Sequence, residues 1–491
     1  MVGDSFILAY RIPNLLRRLA AEGSMTASFI PVFAHYLTDR ERQDWKEFAN
    51  RMFWTLSLVL AVVSVLGVVF SPLLIWAFTL GSTKVDAELA TLLNRIMWPY
   101  LFFIGPAALL MAILNSFRSF AVPALAPVLL NVSVIAFSLF ALRFRQPSVA
   151  LAAGVLVGGM LQLAIQIPQA WKQGMNFRLG ISFSHPGIRK VWRLMVPGFV
   201  GIGVAQINFA VDTLFATHCK PNGSLMSLQI ADRVMELVLG GYAIAIATAI
   251  LPMMSQQVAE RNMAELKHTI SFSLRLVSFI TIPAMVGLVV LREPIIQVLF
   301  QHGRFNQEST RITAWALLFF SLGLPWFAVT KIIVPAFYST HDTRTPVKVA
   351  LVVMFANVLF NLLLLEPLQN GGPAASTSLA GMLNFSILYW VFRRRHGHLG
   401  TRAFLASLAK VSAAAALMGL ACWFMLQISG FPDASSSVQR SLALQVTVLL
   451  SMLAVATGLY FALAWLFHCE ELSDMYGIAR RRRPVEAISG D

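Results

Sequence analysis

Charge is scarce in this sequence. Only 12% of its 491 residues are Asp, Glu, Lys or Arg, and the acidic ones are the scarcer, 23 against 38 basic. A water-facing domain usually carries about 25% charged residues, so composition excludes an ordinary soluble surface. One outsized soluble core is no alternative, because cores stop growing beyond about 250–300 residues. Cysteine is nearly lacking as well. Cys219, Cys422 and Cys469 are too scattered for a disulfide framework or a metal site. No GxxxxGK phosphate loop, HExxH or CxxC occurs, which removes the sequence basis for a motor ATPase or a zinc enzyme. The first 25 residues do not read as a signal peptide, since Asp4, Arg11, Arg17, Arg18 and Glu22 interrupt any apolar stretch. The net charge of +15 is dispersed between apolar segments, and without a recognition motif it does not indicate nucleic acid.

What the sequence has in abundance is apolar length. Apolar residues make up 57% of the chain and the mean hydropathy is +0.70. Residues 52–80 contain no charge at all, more than the roughly 20 residues a bilayer requires. Hydropathy predicts an all-α, polytopic membrane protein with about thirteen spans: 5–36 (broken), 52–80, 90–113, 120–142, 149–170, 194–217, 226–254, 272–291, 312–338, 347–365, 374–392, 404–428 and 441–467. Alternate loops, among them 38–51, 171–193, 256–275, 339–348 and 393–410, hold about 24 Lys and Arg with the tail, and the other loops about nine. The richer set is expected in the cytoplasm, with the C-terminus inside. The residues after Arg480-Arg481-Arg482-Arg483 read as a disordered tail. An odd span count then places Met1 outside, and the expectation is one further span upstream of it.

The chain also repeats itself. Ala9-Tyr10-Arg11-Ile12 is similar to Ala231-Asp232-Arg233-Val234, Pro31 to Pro252, and Ser116 with Pro123 to Ser339 with Pro346. The shared offset of about 222 equals six spans, so orientation is preserved and the halves are parallel repeats, with a central cavity expected between them.

Ionisable residues at membrane depth need partners or a hydrated cavity, each costing about 2.5–3.5 kcal/mol on insertion scales. The first span holds Arg11, Arg17, Arg18 and Glu22; the seventh holds Asp232, Arg233 and Glu236; Asp212 lies in the sixth and Lys331 in the ninth. Arg11, Arg18 and Glu22 fall on one helical face. Asn14 after Pro13 predicts a break in the first helix. The planar arginine fork suits phosphate and carboxylate, so the expected substrate carries an anionic headgroup, a phosphate or pyrophosphate. Snorkelling arginines and an internal ion pair around Arg233 are the plainer readings. Asn357, Asn361 and Thr377, with Asp212, form a candidate sodium site; helix–helix hydrogen bonding is the alternative. Gly154, Gly158 and Gly159 read as close-packing positions.

The run Ile12-Pro13-Asn14-Leu15-Leu16-Arg17-Arg18-Leu19, with Ala21-Glu22-Gly23 and Phe29-Ile30-Pro31-Val32-Phe33, resembles the MurJ/MviN family of bacterial lipid II flippases, within the multidrug/oligosaccharidyl-lipid/polysaccharide exporter superfamily. Pro123-Ala124-Leu125-Ala126-Pro127, Ala231-Asp232-Arg233 and Pro335-Ala336-Phe337-Tyr338-Ser339 extend the similarity along the chain. The resemblance implies fourteen helices, as two parallel six-helix lobes around a central cavity plus two C-terminal helices whose groove holds a lipid tail. Residues 1–190 would be the first lobe, lacking its first helix, 191–400 the second, 401–470 the two extra helices and 471–491 a cytoplasmic tail. It further implies that Arg17, Arg18, Glu22, Asp4 and Arg233 bind the diphosphate of lipid II or gate its passage, with Asp232 and Glu236 beside them. Asp212, Asn357, Asn361 and Thr377 fall near the family's sodium site, where Asn361 replaces a carboxylate.

The expected activity is therefore translocation of undecaprenyl-diphosphate-linked peptidoglycan precursor across a bacterial inner membrane, without covalent chemistry. Sodium or the membrane potential would drive it, and membrane lipids and other cell-wall synthesis proteins are the expected partners. A multidrug cation exporter would need an acidic or aromatic cavity in place of the arginines, an exporter of lipid-linked oligosaccharide is the other alternative within the superfamily, and a polyprenyl-phosphate enzyme would need clustered acids at a membrane face. A non-transporting scaffold in cell-wall assembly is the remaining alternative.

Overall fold

The computed structural model describes residues 2–18, 24–38, 42–144, 146–429 and 441–473. Every regular element among them is helical. The first compact unit, Met1–His218, contains α1 (Val2–Arg17), α2 (Ser24–Thr38), α3 (Arg42–Thr79), α4 (Ala87–Met97), α5 (Pro99–Ser116), α6 (Ala121–Leu139), α7 (Pro147–Ala164), α8 (Gln166–Lys172) and α9 (Pro186–Thr217). The second, Cys219–Asp491, contains α10 (Ser224–Leu239), α11 (Ala245–Ala259), α12 (Met263–Phe300), α13 (Gln307–Ser339), α14 (Arg344–Leu368), α15 (Gly371–His396), α16 (Thr401–Ser429) and α17 (Leu442–Leu466).

The expected spans from 52–80 onward each overlap one helix or two consecutive helices, and 5–36 overlaps α1 and α2, with residues 19–23 outside those described. Among the described residues, ten helical segments are long and apolar enough to cross a membrane. The helices at 2–38, 186–217 and 224–259 are not among those ten, and they carry Asp4, Arg11, Arg17, Asp212, Asp232, Arg233 and Glu236. Val62, Val65, Leu66, Val69 and Phe70 of α3 are exposed, an apolar face that only lipid would cover at low cost. The chain is a multi-pass membrane protein.

The repeat is visible in the helix boundaries. α1 begins at Val2 and α10 at Ser224, an offset of 222, and α3 begins at Arg42 and α12 at Met263, an offset of 221.

Prolines shape the long helices. α4 and α5 meet at Trp98-Pro99. In α12 the backbone leaves helical geometry at Leu291 (φ −96°, ψ 15°), where the Pro294 ring would crowd the carbonyl of the preceding turn. The break expected at Pro13–Asn14 does not occur: α1 continues to Arg17 with Pro13 inside it. Asn14 caps nothing there and instead accepts a hydrogen bond from Arg17 Nε at 2.7 Å. An interior proline is tolerated in a membrane helix when a neighbour re-satisfies the freed carbonyl. Here Asn94 Nδ2 donates to the Ala9 oxygen at 2.8 Å, the acceptor that a residue 13 N–H would otherwise serve.

The glycines behave as expected. A Cβ on Gly158 would lie 2.6 Å from Leu130 Cδ1 and 3.0 Å from the Leu130 Cα, so α7 approaches α6 backbone to backbone. Ser133 Oγ reinforces the contact by donating to the Gly154 oxygen at 2.8 Å. Without a hydrophobic drive between helices in lipid, such close packing and hydrogen bonding hold the pair.

Candidate functional site

In the first unit Arg11 of α1 and Arg18, one residue past its end, meet α9 at Phe209. Arg11 is buried at 6% exposure. Its Nη1 donates to Thr213 Oγ1 at 2.8 Å, and its guanidinium carbon stands 4.5 Å from the Phe209 ring centroid. The Arg18 guanidinium carbon lies 5.7 Å from the same ring, so the shared face expected for these two arginines is present. Arg17 is half-buried and bonded to Asn14. The ring of Phe209 offers its negative face to both cations. Sequence reasoning missed Thr213 and Phe209, which are about 200 residues away in the chain; nothing local marks them.

Asp4 is buried at 3% exposure. It lies at the other end of α1, roughly 20 Å from Arg17 at 1.5 Å per residue. Next to it Ser5 Oγ donates to the Asp86 oxygen at 3.2 Å and accepts from the Asp86 N–H at 3.1 Å, while Asp86 caps α4 through the Leu89 N–H. Glu22 lies outside the described residues. Asp212 is half-buried on α9, beside Thr213.

In the second unit, α10 carries the counterparts. Arg233 Nη1 and Glu236 Oε2 are 2.7 Å apart, with side chains 55% and 42% exposed. Asp232 is half-buried. An ion pair is thus present at Arg233, but at these exposures it is not the internal pair anticipated, and the guanidinium remains accessible. Asn357 and Asn361, four apart on α14, are fully buried. The Asn361 amide donates to the Asn357 side-chain oxygen and to its main-chain oxygen at 3.1 Å. Thr377 Oγ1 donates to the Pro373 oxygen at 2.9 Å. Among the described residues no three His, Cys, Asp or Glu side chains are grouped to hold a metal.

The second unit also contains an apolar cavity of about 350 Å³ among α10, α12, α16 and α17, lined by Phe279, Pro283, Gly287, Met418, Leu453 and Tyr460, among others. Its one buried polar group is engaged: Tyr460 Oη donates to the Phe279 oxygen at 2.6 Å, the carbonyl that Pro283 cannot serve. The cavity can hold hydrocarbon and little else.

These two features, arginines gathered beside an aromatic ring and an apolar cavity against the last two helices, suit an amphiphile with an anionic head. The comparisons agree. The family model for the lipid II flippase MurJ matches residues 1–432. A probable lipid II flippase MurJ of Vibrio cholerae is 35% identical over 431 residues, covering 86% of this chain and 82% of the relative. The lipid II flippase MurJ of Burkholderia cenocepacia is 31% identical over 487 residues, covering 98% and 92%. Among solved structures, the fold is similar to that of a lipid II flippase MurJ in an inward closed conformation, with a TM-score of 0.75, 23% identity and 94% and 92% coverage. An inward-facing multidrug transporter of the MATE family shares the fold at a TM-score of 0.67 and 15% identity, covering 82% of this chain and 94% of that one. With a family model spanning most of its length and relatives above 30% identity along nearly all of it, the chain belongs to the MurJ family of lipid II flippases.

Proposed function

We propose that this protein moves lipid-linked peptidoglycan precursor, lipid II, from the cytoplasmic to the outer leaflet of a bacterial inner membrane. The observation that carries the reading is the cluster at the C-terminal end of α1 and just past it: Arg11 is buried, Arg17 and Arg18 are half-buried, and Arg11 and Arg18 share the Phe209 ring. Cations are retained at such depth for a purpose, and a diphosphate would engage Arg17, Arg18 and Arg233 by charge-assisted hydrogen bonds. Glu236 presents oxygens to Arg233, and diphosphate oxygens would take their place. Asp4, Asp232, Glu236 and Glu22 are the carboxylates this reading assigns to gating. The polyprenyl tail would stay in lipid and against the apolar cavity of α12, α16 and α17, while the lobes alternate between inward-open and outward-open states. No bond is made or broken, so no catalytic residue is required.

Sodium is the coupling ion in this reading, with the membrane potential as the alternative. Asn357, Asn361 and Thr377 would supply neutral oxygens of the kind a hard monovalent cation takes, and Asp212 the charge. The loop bias in Lys and Arg supports a cytoplasmic C-terminus, and other cell-wall synthesis proteins are the proposed neighbours. The test of the activity is complementation of a flippase-depleted bacterium by the gene with its native upstream region. Growth with normal cell shape is expected; lysis as in the empty-vector control would overturn the assignment.

A further inference from the structure

The charged end of α15 forms a second, separate site. A cavity of about 370 Å³ is lined by Trp390, Arg393, Arg394, Gly397 and His398. The Arg394 guanidinium carbon stands 5.3 Å from the Trp390 ring centroid. Arg393 Nη2 and His398 Nδ1 are 3.3 Å apart; the guanidinium can only donate, so Nδ1 accepts and the other ring nitrogen carries a proton outward. A third cation comes from another helix: a Cβ on Gly397 would lie 3.1 Å from Lys267 Nζ of α12. Gly397 has φ 88° and closes α15 by donating its N–H to the Arg393 oxygen, a positive-φ conformation that favours glycine.

Among the described residues no carboxylate lies within ion-pair distance of Arg393, Arg394 or Lys267. Asp342 is committed to Arg395 and Thr345. Burial pushes its carboxyl up, but the hydrogen bonds from Thr345 and Arg395 more than offset that and hold it below the usual carboxylate range. The dipole of α15 accounts for basic residues in its last turn. It does not account for a lysine delivered from α12, or for an arginine laid on a tryptophan that is 56% exposed. Tryptophan of that kind marks the boundary between acyl chains and headgroups, and basic pockets at that depth take lipid phosphates.

We propose that this pocket binds the phosphodiester headgroup of an anionic membrane phospholipid, held by Arg393, Arg394, His398 and Lys267, with Trp390 against the glycerol and upper acyl chains. The proposal needs only that the chain be a membrane protein. Free phosphate shares the chemistry but would make no use of Trp390.

Native mass spectrometry of the full chain in detergent tests it, with phosphatidylglycerol or phosphatidylcholine added, and with millimolar inorganic phosphate as competitor. Phosphatidylglycerol should bind the native protein in preference to phosphatidylcholine. Arg393→Gln/Arg394→Gln should weaken it by roughly tenfold or more, each surface arginine being worth about a factor of five. The control pair Arg189→Gln/Lys190→Gln on α9 should bind as the native protein does, and phosphate should displace nothing. Lys267→Gln, a single change on a different helix, should weaken binding by about fivefold and serves if the double variant does not fold. Equal binding of the two lipids, undiminished phosphatidylglycerol in both the Arg393/Arg394 and Lys267 variants, or displacement by phosphate would overturn the proposal.

Discussion

The side-chain amide of Asn94 donates to the main-chain oxygen of Ala9 at 2.8 Å, four residues before Pro13. That oxygen has no helical partner, because proline carries no N–H. Asn94 is fully buried, and its own oxygen accepts from Trp98 Nε1 at 2.8 Å and Ser71 Oγ at 2.9 Å. One amide therefore joins α1, α3 and the α4–α5 bend, and fixes the helix that carries the arginines. Asn94→Ala should lower stability by about 1–3 kcal/mol for each group left unpaired. In a Pro13→Ala background residue 13 regains its N–H, so the cost of Asn94→Ala should shrink by about 1 kcal/mol. Thermal unfolding of the four proteins in detergent measures this, and strictly additive losses would contradict it.

The same arrangement recurs at Pro283, where Tyr460 Oη serves the Phe279 oxygen. Tyr460→Phe removes one oxygen and keeps the ring. It should cost about 1–3 kcal/mol, much of it recovered in Pro283→Ala/Tyr460→Phe. No loss in the single variant would show that the bond contributes nothing to seating α17 on α12.

How far these features were legible depends on their range. Hydropathy is local, so the apolar run at 52–80 located α3, and the 222-residue offset anticipated the recurrence of α1 in α10. The seven-residue spacing of Arg11 and Arg18 was enough to place both on one face. Gly158 was readable because a small residue in an apolar span has few other uses. Thr213 and Phe209 were not readable, since their pairing with α1 is set by helix packing across some 200 residues of chain. The expected break at Pro13 failed for the same reason: the remedy, Asn94, lies on another helix. A lone asparagine inside the apolar span at 90–113 was a usable signal, because a polar group at that depth needs a partner.

Orientation is open to direct measurement. A reporter fused after Arg483 should behave as cytoplasmic and one in the loop at 366–373 as external, from the distribution of Lys and Arg. An external C-terminus would invert every assignment of sides made above.

Sodium coupling has a binding test that does not depend on transport. If Asp212, Asn357, Asn361 and Thr377 act together on sodium, the ion should raise the melting temperature by mass action, by about 2.7 kcal/mol of stability at a hundredfold excess over its Kd. Choline should not, and Asp212→Asn should remove the effect. Equal melting in sodium and choline would leave the membrane potential as the driving force.

The arginines decide the central claim, and complementation of a flippase-depleted bacterium, scored together with protein abundance in the membrane, tests it most directly. Lysine keeps the charge and loses the planar fork, so the effect should be graded. Arg18→Ala and Arg233→Ala should abolish complementation at near-normal abundance, and Arg18→Lys and Arg233→Lys should restore it in part. The Arg233 side chain is more than half exposed, so its loss opens no buried cavity. Full complementation by the alanine variants, or their disappearance from the membrane, would contradict an arginine site for the diphosphate.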